Sequence, residues 1–166
     1  LGPEVQVWSA HHLGYARLDP QLRHDRTVRL DTAAHTLTVE DTLTGSSRHT
    51  LRLAWHCGPD VAVELAEDVA ELSWTDAAGR RSARMSLPSD LCWTAHRGET
   101  SPILGWYSPR FGERVPSTTL VGGRAWTGRV RLTTVLELSA LPVTRTLHLV
   151  READRPLLGA QVQWAR

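Results

Sequence analysis

The sequence predicts an all-β protein, an antiparallel β-sandwich of about twelve strands in two packed sheets. Three observations lead there. Apolar and polar side chains alternate along most of the chain, the period of a strand with one dry and one wet face. Turn-forming clusters interrupt the alternation about every ten to fifteen residues. Helical spacing is nearly absent. Only VAVELAEDVAEL, Val61 to Leu72, has helix-forming composition, and its valines and neighbours favour two short strands instead.

Taken in order, Val28 and Leu30 flank Arg29, and Leu37 and Val39 alternate with Thr36 and Thr38. Leu51, Leu53 and Trp55 alternate with Thr50, Arg52 and Ala54. Val61, Val63 and Leu65 come next, then Leu72 and Trp74, Met85 and Leu87, and Leu91 and Trp93. Val130, Leu132, Leu136 and Leu138 form a later run, followed by Leu147 with Leu149 and Val162 with Trp164. The turns expected between them are Asp19-Pro20, Thr44-Gly45-Ser46-Ser47, Gly58-Pro59-Asp60, Asp76-Ala77-Ala78-Gly79, Pro88-Ser89-Asp90, Gly122-Gly123 and Asp154-Arg155-Pro156. Each strand must bury one face, so the strands stack as sheets within a single domain over residues 1–166. No tandem repeat or long linker divides the chain.

Composition excludes several function classes. Apolar residues are 41% of the chain, ordinary for a globular domain. Net charge is +1, too small for a field that gathers nucleic acid or an anionic membrane. No apolar run is long enough to span a bilayer. LGPEVQVWSA carries neither a charged leader nor an apolar signal core. All 19 basic residues are Arg, and Lys and Asn do not occur. That bias fits a GC-rich bacterial gene. A selective alternative is bidentate Arg recognition of carboxylate or sulfate. The sequence is compatible with a periplasmic or secreted location without fixing one. Cys57 shares parity with Leu51, Leu53 and Trp55, whereas Cys92 is out of phase with Leu91 and Trp93. Two separate thiols are therefore expected, although an oxidising compartment would permit a bridge. No zinc spacing, Walker loop, dinucleotide fingerprint, HExxH or GxSxG motif occurs, and no cofactor is expected.

Two constellations have the residue types for chemistry. The first, SAHHLGYARLDPQLRHDRTVRL, contains His12, Tyr15, His24 and Arg26. On a strand His24 and Arg26 project to one side. A His beside an Arg favours an anionic partner over a metal, because the guanidinium repels a cation. The structural reading has one His capping a turn while Tyr15 and Leu18 pack. The second, GWYSPRFGERVP, contains Trp106, Tyr107, Arg110 and Arg114. Its glycines permit positive φ and its prolines fix φ near −65°. Trp106 and Tyr107 point to opposite faces, one inward and one partly exposed, and Arg110 and Arg114 are placed to flank Glu113. On a sugar-binding surface the rings stack on pyranose faces while Arg clamps an acid group. In a structural corner the same Arg residues satisfy carbonyls and acids.

Several segments together resemble a known family. They are His12-Leu13-Gly14-Tyr15, HDRTVRL followed by LTVEDTLTG (Leu37 to Gly45), HCGPD (His56 to Asp60) and GWYSPRFGERVPSTTLV (Gly105 to Val121). In this order they resemble the C-terminal β-sandwich region of heparinase II/III-like proteins, over roughly residues 5–140. The resemblance implies polysaccharide lyases acting on glycosaminoglycans or alginate. In these, a helical toroid carries most of the cleft and the sandwich closes one side. The implied reaction is β-elimination, in which a base removes the C5 proton of a uronic acid and the 4-linked sugar leaves. Asn neutralises the carboxylate while Tyr and His handle protons.

The chain departs from that pattern. It shows no toroid, it has no Asn, and the matching segments begin after the part of the sandwich that supplies a metal ligand or catalytic His. No catalytic residue transfers. The expectation is a non-catalytic module that supports a toroid domain and lines an acidic-polysaccharide groove. His12, Tyr15, His24, Arg26, Trp106, Tyr107, Arg110 and Arg114 are its candidate contacts. The alternatives are an autonomous carbohydrate-binding domain and a protein-interaction sandwich.

Overall fold

A computed structural model describes residues 4–16 and 22–138. The strands expected around Leu147 and Val162, and the turns at Asp19-Pro20 and Asp154-Arg155-Pro156, lie outside that range. Among the described residues there is no helix, and twelve antiparallel strands run in order. They are β1 (Val5–His12), β2 (Arg23–Asp31), β3 (Thr36–His56), β4 (Ala62–Ala66), β5 (Val69–Asp76) and β6 (Gly79–Ser86). Then come β7 (Cys92–Arg97), β8 (Glu99–Thr100), β9 (Ile103–Leu104), β10 (Trp106–Tyr107), β11 (Val115–Pro116) and β12 (Thr118–Leu138). VAVELAEDVAEL does form two strands, turning at Glu67, which has φ 53°.

The architecture is the expected all-β, sandwich-like one, and its two long strands stitch it together. Pairing runs in the order β1-β2-β3-β12-β6-β5-β4, with β7 added on β12. β12 changes neighbours along its length. Its first residues, Thr118 to Gly123, lie between β3 and β7, and its last, Val135 to Leu138, reach β6. Two short hairpins, β8-β9 and β10-β11, stand apart from this sheet.

Strand parity explains the core. Val39, Leu43, Leu51, Leu53 and Trp55 of β3 are buried, and opposite them so are Leu120, Trp126, Val130 and Leu132 of β12. Ala70, Leu72, Ala83 and Met85 extend the same cluster from β5 and β6. Burying such side chains is the main favourable term in folding.

Two expected turns are interior to strands. Thr44-Gly45-Ser46-Ser47 lies inside β3, where the ladder slips: Trp126 faces His49 but Gly128 faces Gly45. Three β3 residues, Ser46, Ser47 and Arg48, thus oppose Thr127 alone. The turn-forming composition makes a bulge that bends the strand. Gly122-Gly123 lies inside β12. A Cβ at Gly122 would stand 2.6 Å from Trp93 Cε2, so the glycine makes room for an indole from β7. We expect Gly122→Ala to lower stability by about 2 kcal/mol through overpacking against a rigid ring. Urea denaturation followed by tryptophan fluorescence measures this.

Candidate functional site

The first constellation assembles at one end of the β1-β2 pair, where His12 faces His24. His24 and Arg26 do project together, towards an anion supplied by the fold. His24 Nε2–H donates to Asp41 Oδ1 at 2.5 Å. Arg26 Nε–H donates to the same oxygen at 2.7 Å, and its Nη2 donates to Oδ2 at 2.8 Å. Register explains the meeting, because Arg26 pairs directly with Asp41 across β2 and β3. Asp41 is buried, with its side chain 3% exposed. Burial pushes its carboxyl up, but the hydrogen bonds from His24 and Arg26 outweigh this and hold it below the usual carboxylate range. Arg26 also stands 5.9 Å from the ring of the core residue Trp55. Asp41 was missing from the sequence-level candidates. The signal for it was the LTVEDTL alternation, in which an acid occupies the inward parity of Val39 and Leu43.

His12 and Tyr15 are held locally. Gly14 N–H donates to His12 Nδ1 at 3.3 Å, and a Cβ at Gly14 would meet the imidazole 2.3 Å away. The His12 and Tyr15 rings meet edge-on with centroids 5.5 Å apart. Tyr15 packs against the core, and burial raises its phenol pKa.

The second constellation forms the β10-β11 hairpin, with Trp106 opposite Pro116. Gly105, at φ 73°, is its hinge. Its carbonyl accepts from Gly98 N–H at 2.8 Å and Ser117 N–H at 2.9 Å. A Cβ there would lie 2.5 Å from His96 O and 2.6 Å from Arg97 Cα, so no side chain fits. Trp106 is half-buried and donates from Nε1 to Glu99 O at 2.7 Å, with the Arg114 guanidinium 4.3 Å from its ring centroid. Arg110 pairs with Glu113. Arg114 therefore stacks on Trp106, and Arg110 alone of the two makes an ion pair with Glu113 among the contacts described. Tyr107 is 41% exposed and Phe111 is fully exposed. Phe111 had not been singled out, since a lone Phe in a loop carries no periodic signal.

The two groups are assembled separately. Arg26 connects through Asp41 to Leu132 of β12, while the 105–117 loop leads into the first residues of that strand. A cleft of about 330 Å³, lined by Glu67, Asp68, Ser89, Leu91, Cys92 and Trp93, contains none of the candidates. Among the described residues no three or more His, Cys, Asp or Glu side chains gather as metal ligands. Cys57 and Cys92 are separate free thiols, and burial pushes Cys57 up to about 11.

Against this geometry, comparison with known proteins is specific. The model of the heparinase II/III-like C-terminal region matches residues 2–148. This chain belongs to the heparinase II/III-like family. No curated protein sequence matches it. Among solved structures it is similar to the heparan sulfate lyase HepC from Pedobacter heparinus, with TM-score 0.62 and 13% identity over 83% of this chain and 20% of that one. A heparinase III gene product gives TM-score 0.63 and 15% identity over 82% of this chain and 20% of its own. At such identities these likenesses establish a shared fold. The chain spans about one fifth of the length of these structures.

Two outcomes follow. Asp41→Ala takes the buried carboxylate away from the half-buried Arg26 guanidinium and the buried His24 ring, which costs about 3–5 kcal/mol in denaturant titration. Replacing Asp41, His24 and Arg26 together by Leu, Leu and Met is expected to recover much of that loss. The second outcome concerns His56, whose Nδ1 lies 3.0 Å from Thr119 Oγ1. Burial, aided by Arg52, lowers its pKa. The fold therefore prefers neutral His56, while the unfolded chain takes up a proton near pH 6.5. This contribution to stability is full above about pH 6.5 and declines as pH falls towards the folded-state value. Melting temperatures of His56→Gln should fall less than wild type over that interval.

Proposed function

We propose that this chain is a non-catalytic β-sandwich module of a polysaccharide lyase, supporting a helical toroid and lining a groove for an acidic polysaccharide. The observation that carries this reading is the Asp41 triad. A lyase needs a proton-transferring group and a charge-neutralising group free to meet the uronate. Here His24 and Arg26, the strongest such pair in the sequence, are spent on a buried carboxylate of the chain's own. Family membership and the partial coverage of heparan sulfate lyase structures supply the setting.

A second reading, an autonomous carbohydrate-binding domain, draws on Tyr107 and Phe111. Both rings are exposed on a braced hairpin beside Arg110.

One experiment addresses both. Purified chain is incubated with heparan sulfate and with alginate, following the ultraviolet absorbance of unsaturated uronate, and calorimetry on the same samples measures binding. No absorbance growth is expected, and growth above a buffer control overturns the non-catalytic reading. Heparan sulfate binding lost in both Tyr107→Ala and Arg110→Ala would favour the second reading.

A further inference from the structure

Among the described strands β1 is an end strand of the sheet, and all eight of its residues are exposed. Val7 is 62% exposed on one face and Trp8 58% on the other. Its sequence, VQVWSAHH, contains no Asp, Glu, Lys, Arg or Pro. Natural edge strands are usually short, charged or broken by proline, because a bare edge is a template for another strand. The edge strand β4 keeps that rule, with five residues including Glu64. β1 does not.

The hydrogen-bonding pattern shows what the edge offers. Thr32 N–H donates to Glu4 O at 2.8 Å, which continues the β1-β2 register by one pair. Antiparallel pairs alternate in bonding direction. Glu4, Gln6, Trp8, Ala10 and His12 thus bond inward to β2, while Val5, Val7, Ser9 and His11 turn their N–H and C=O groups outward.

We propose that this edge pairs antiparallel with β1 of a second copy of the chain, about a two-fold axis at Trp8. Residues facing each other across an antiparallel pair project to the same side, so odd positions meet odd and even meet even. An axis at Trp8 satisfies this over the whole strand. Val7 faces Ser9 of the second copy, Val5 faces His11, and Gln6 faces Ala10. The outward groups make about eight interchain hydrogen bonds. Trp8 meets its own counterpart at a closely spaced, non-hydrogen-bonded position, a favourable aromatic cross-strand pair. At the ends, Glu4 of one copy lies across from His12 of the other, so an acid meets a base and no like charges oppose. The contact is isologous and closes at two copies. This interface is independent of any polysaccharide-related role.

Sedimentation equilibrium of the 166-residue chain over a thousand-fold concentration range tests it. A reversible monomer–dimer equilibrium is expected. Ser9→Pro removes an outward N–H and keeps the backbone β1-β2 ladder, giving up only the exposed Ser9 Oγ–Thr27 Oγ1 hydrogen bond of 3.0 Å, and should raise the dissociation constant ~10-fold or more. Trp8→Arg places two cations on the axis and should do the same, and it stands as the test if the proline variant does not fold. The melting temperature at low protein concentration should match wild type in Trp8→Arg and fall only slightly in Ser9→Pro, which loses one exposed hydrogen bond. A monomer throughout, a dimer unaffected by either variant, or open-ended association would each overturn the proposal.

Discussion

The ladder between β3 and β12 is the constraint on which the rest of the molecule depends. It brings Thr36–His56 against Thr118–Leu138, and every other main-sheet strand attaches to one of these two directly or through one or two intervening strands. Its inward parity holds on both sides of the bulge, so Leu120 still shares a face with Trp55, and Val130 with Leu43. β3 ends at His56 and β12 begins at Thr118, so the ladder closes only after the intervening loop, roughly 60 residues, has been gathered. Such long-range pairing is entropically costly until the shared core forms.

Electrostatics follow the same plan. Arg23 pairs with Asp25, Arg29 with Asp31, Arg81 with Asp76, Arg84 with Glu71 and Arg124 with Asp90. These pairs are largely solvated and each contributes little. Asp41 differs because it is buried and receives three donors. Among the described residues, eight Arg side chains find a carboxylate within the chain. A basic patch waiting for a sulfated polymer does not emerge from the residue count alone.

The fold was legible in the sequence wherever alternation was clean. β2, β5 and the inward faces of β3 and β12 follow directly from their spaced Leu, Val and Trp residues. The failures were at glycine. Gly45 and Gly122-Gly123 look like turns locally, yet Gly45 lies at a ladder slip and Gly122 admits Trp93, and both causes lie in distant strands. The shared direction of His24 and Arg26 was readable from a period of two. Their partner was not, because naming Asp41 requires the β2-β3 register. Tyr107's exposure followed from its alternation with Trp106, whereas Phe111 sits in a loop where alternation has ended.

GWYSPRFGERVP is therefore both a corner and a display, in different residues. Gly105, Trp106, Arg114 and Ser117 are bound into the body by backbone contacts, an indole hydrogen bond and a stacked guanidinium. That half must keep its shape for β12 to start where it does. Tyr107 and Phe111 ride on the rigid base with their rings in solvent. A braced loop loses little entropy when its tip meets a ligand, so its exposed aromatics are better placed for recognition than flexible ones. The same reasoning separates structural from available groups across the chain. His24, Arg26 and Asp41 are bound to one another and are lost to external chemistry. Among the described residues, the aromatic tip of this hairpin and the edge of β1 stand open to solvent.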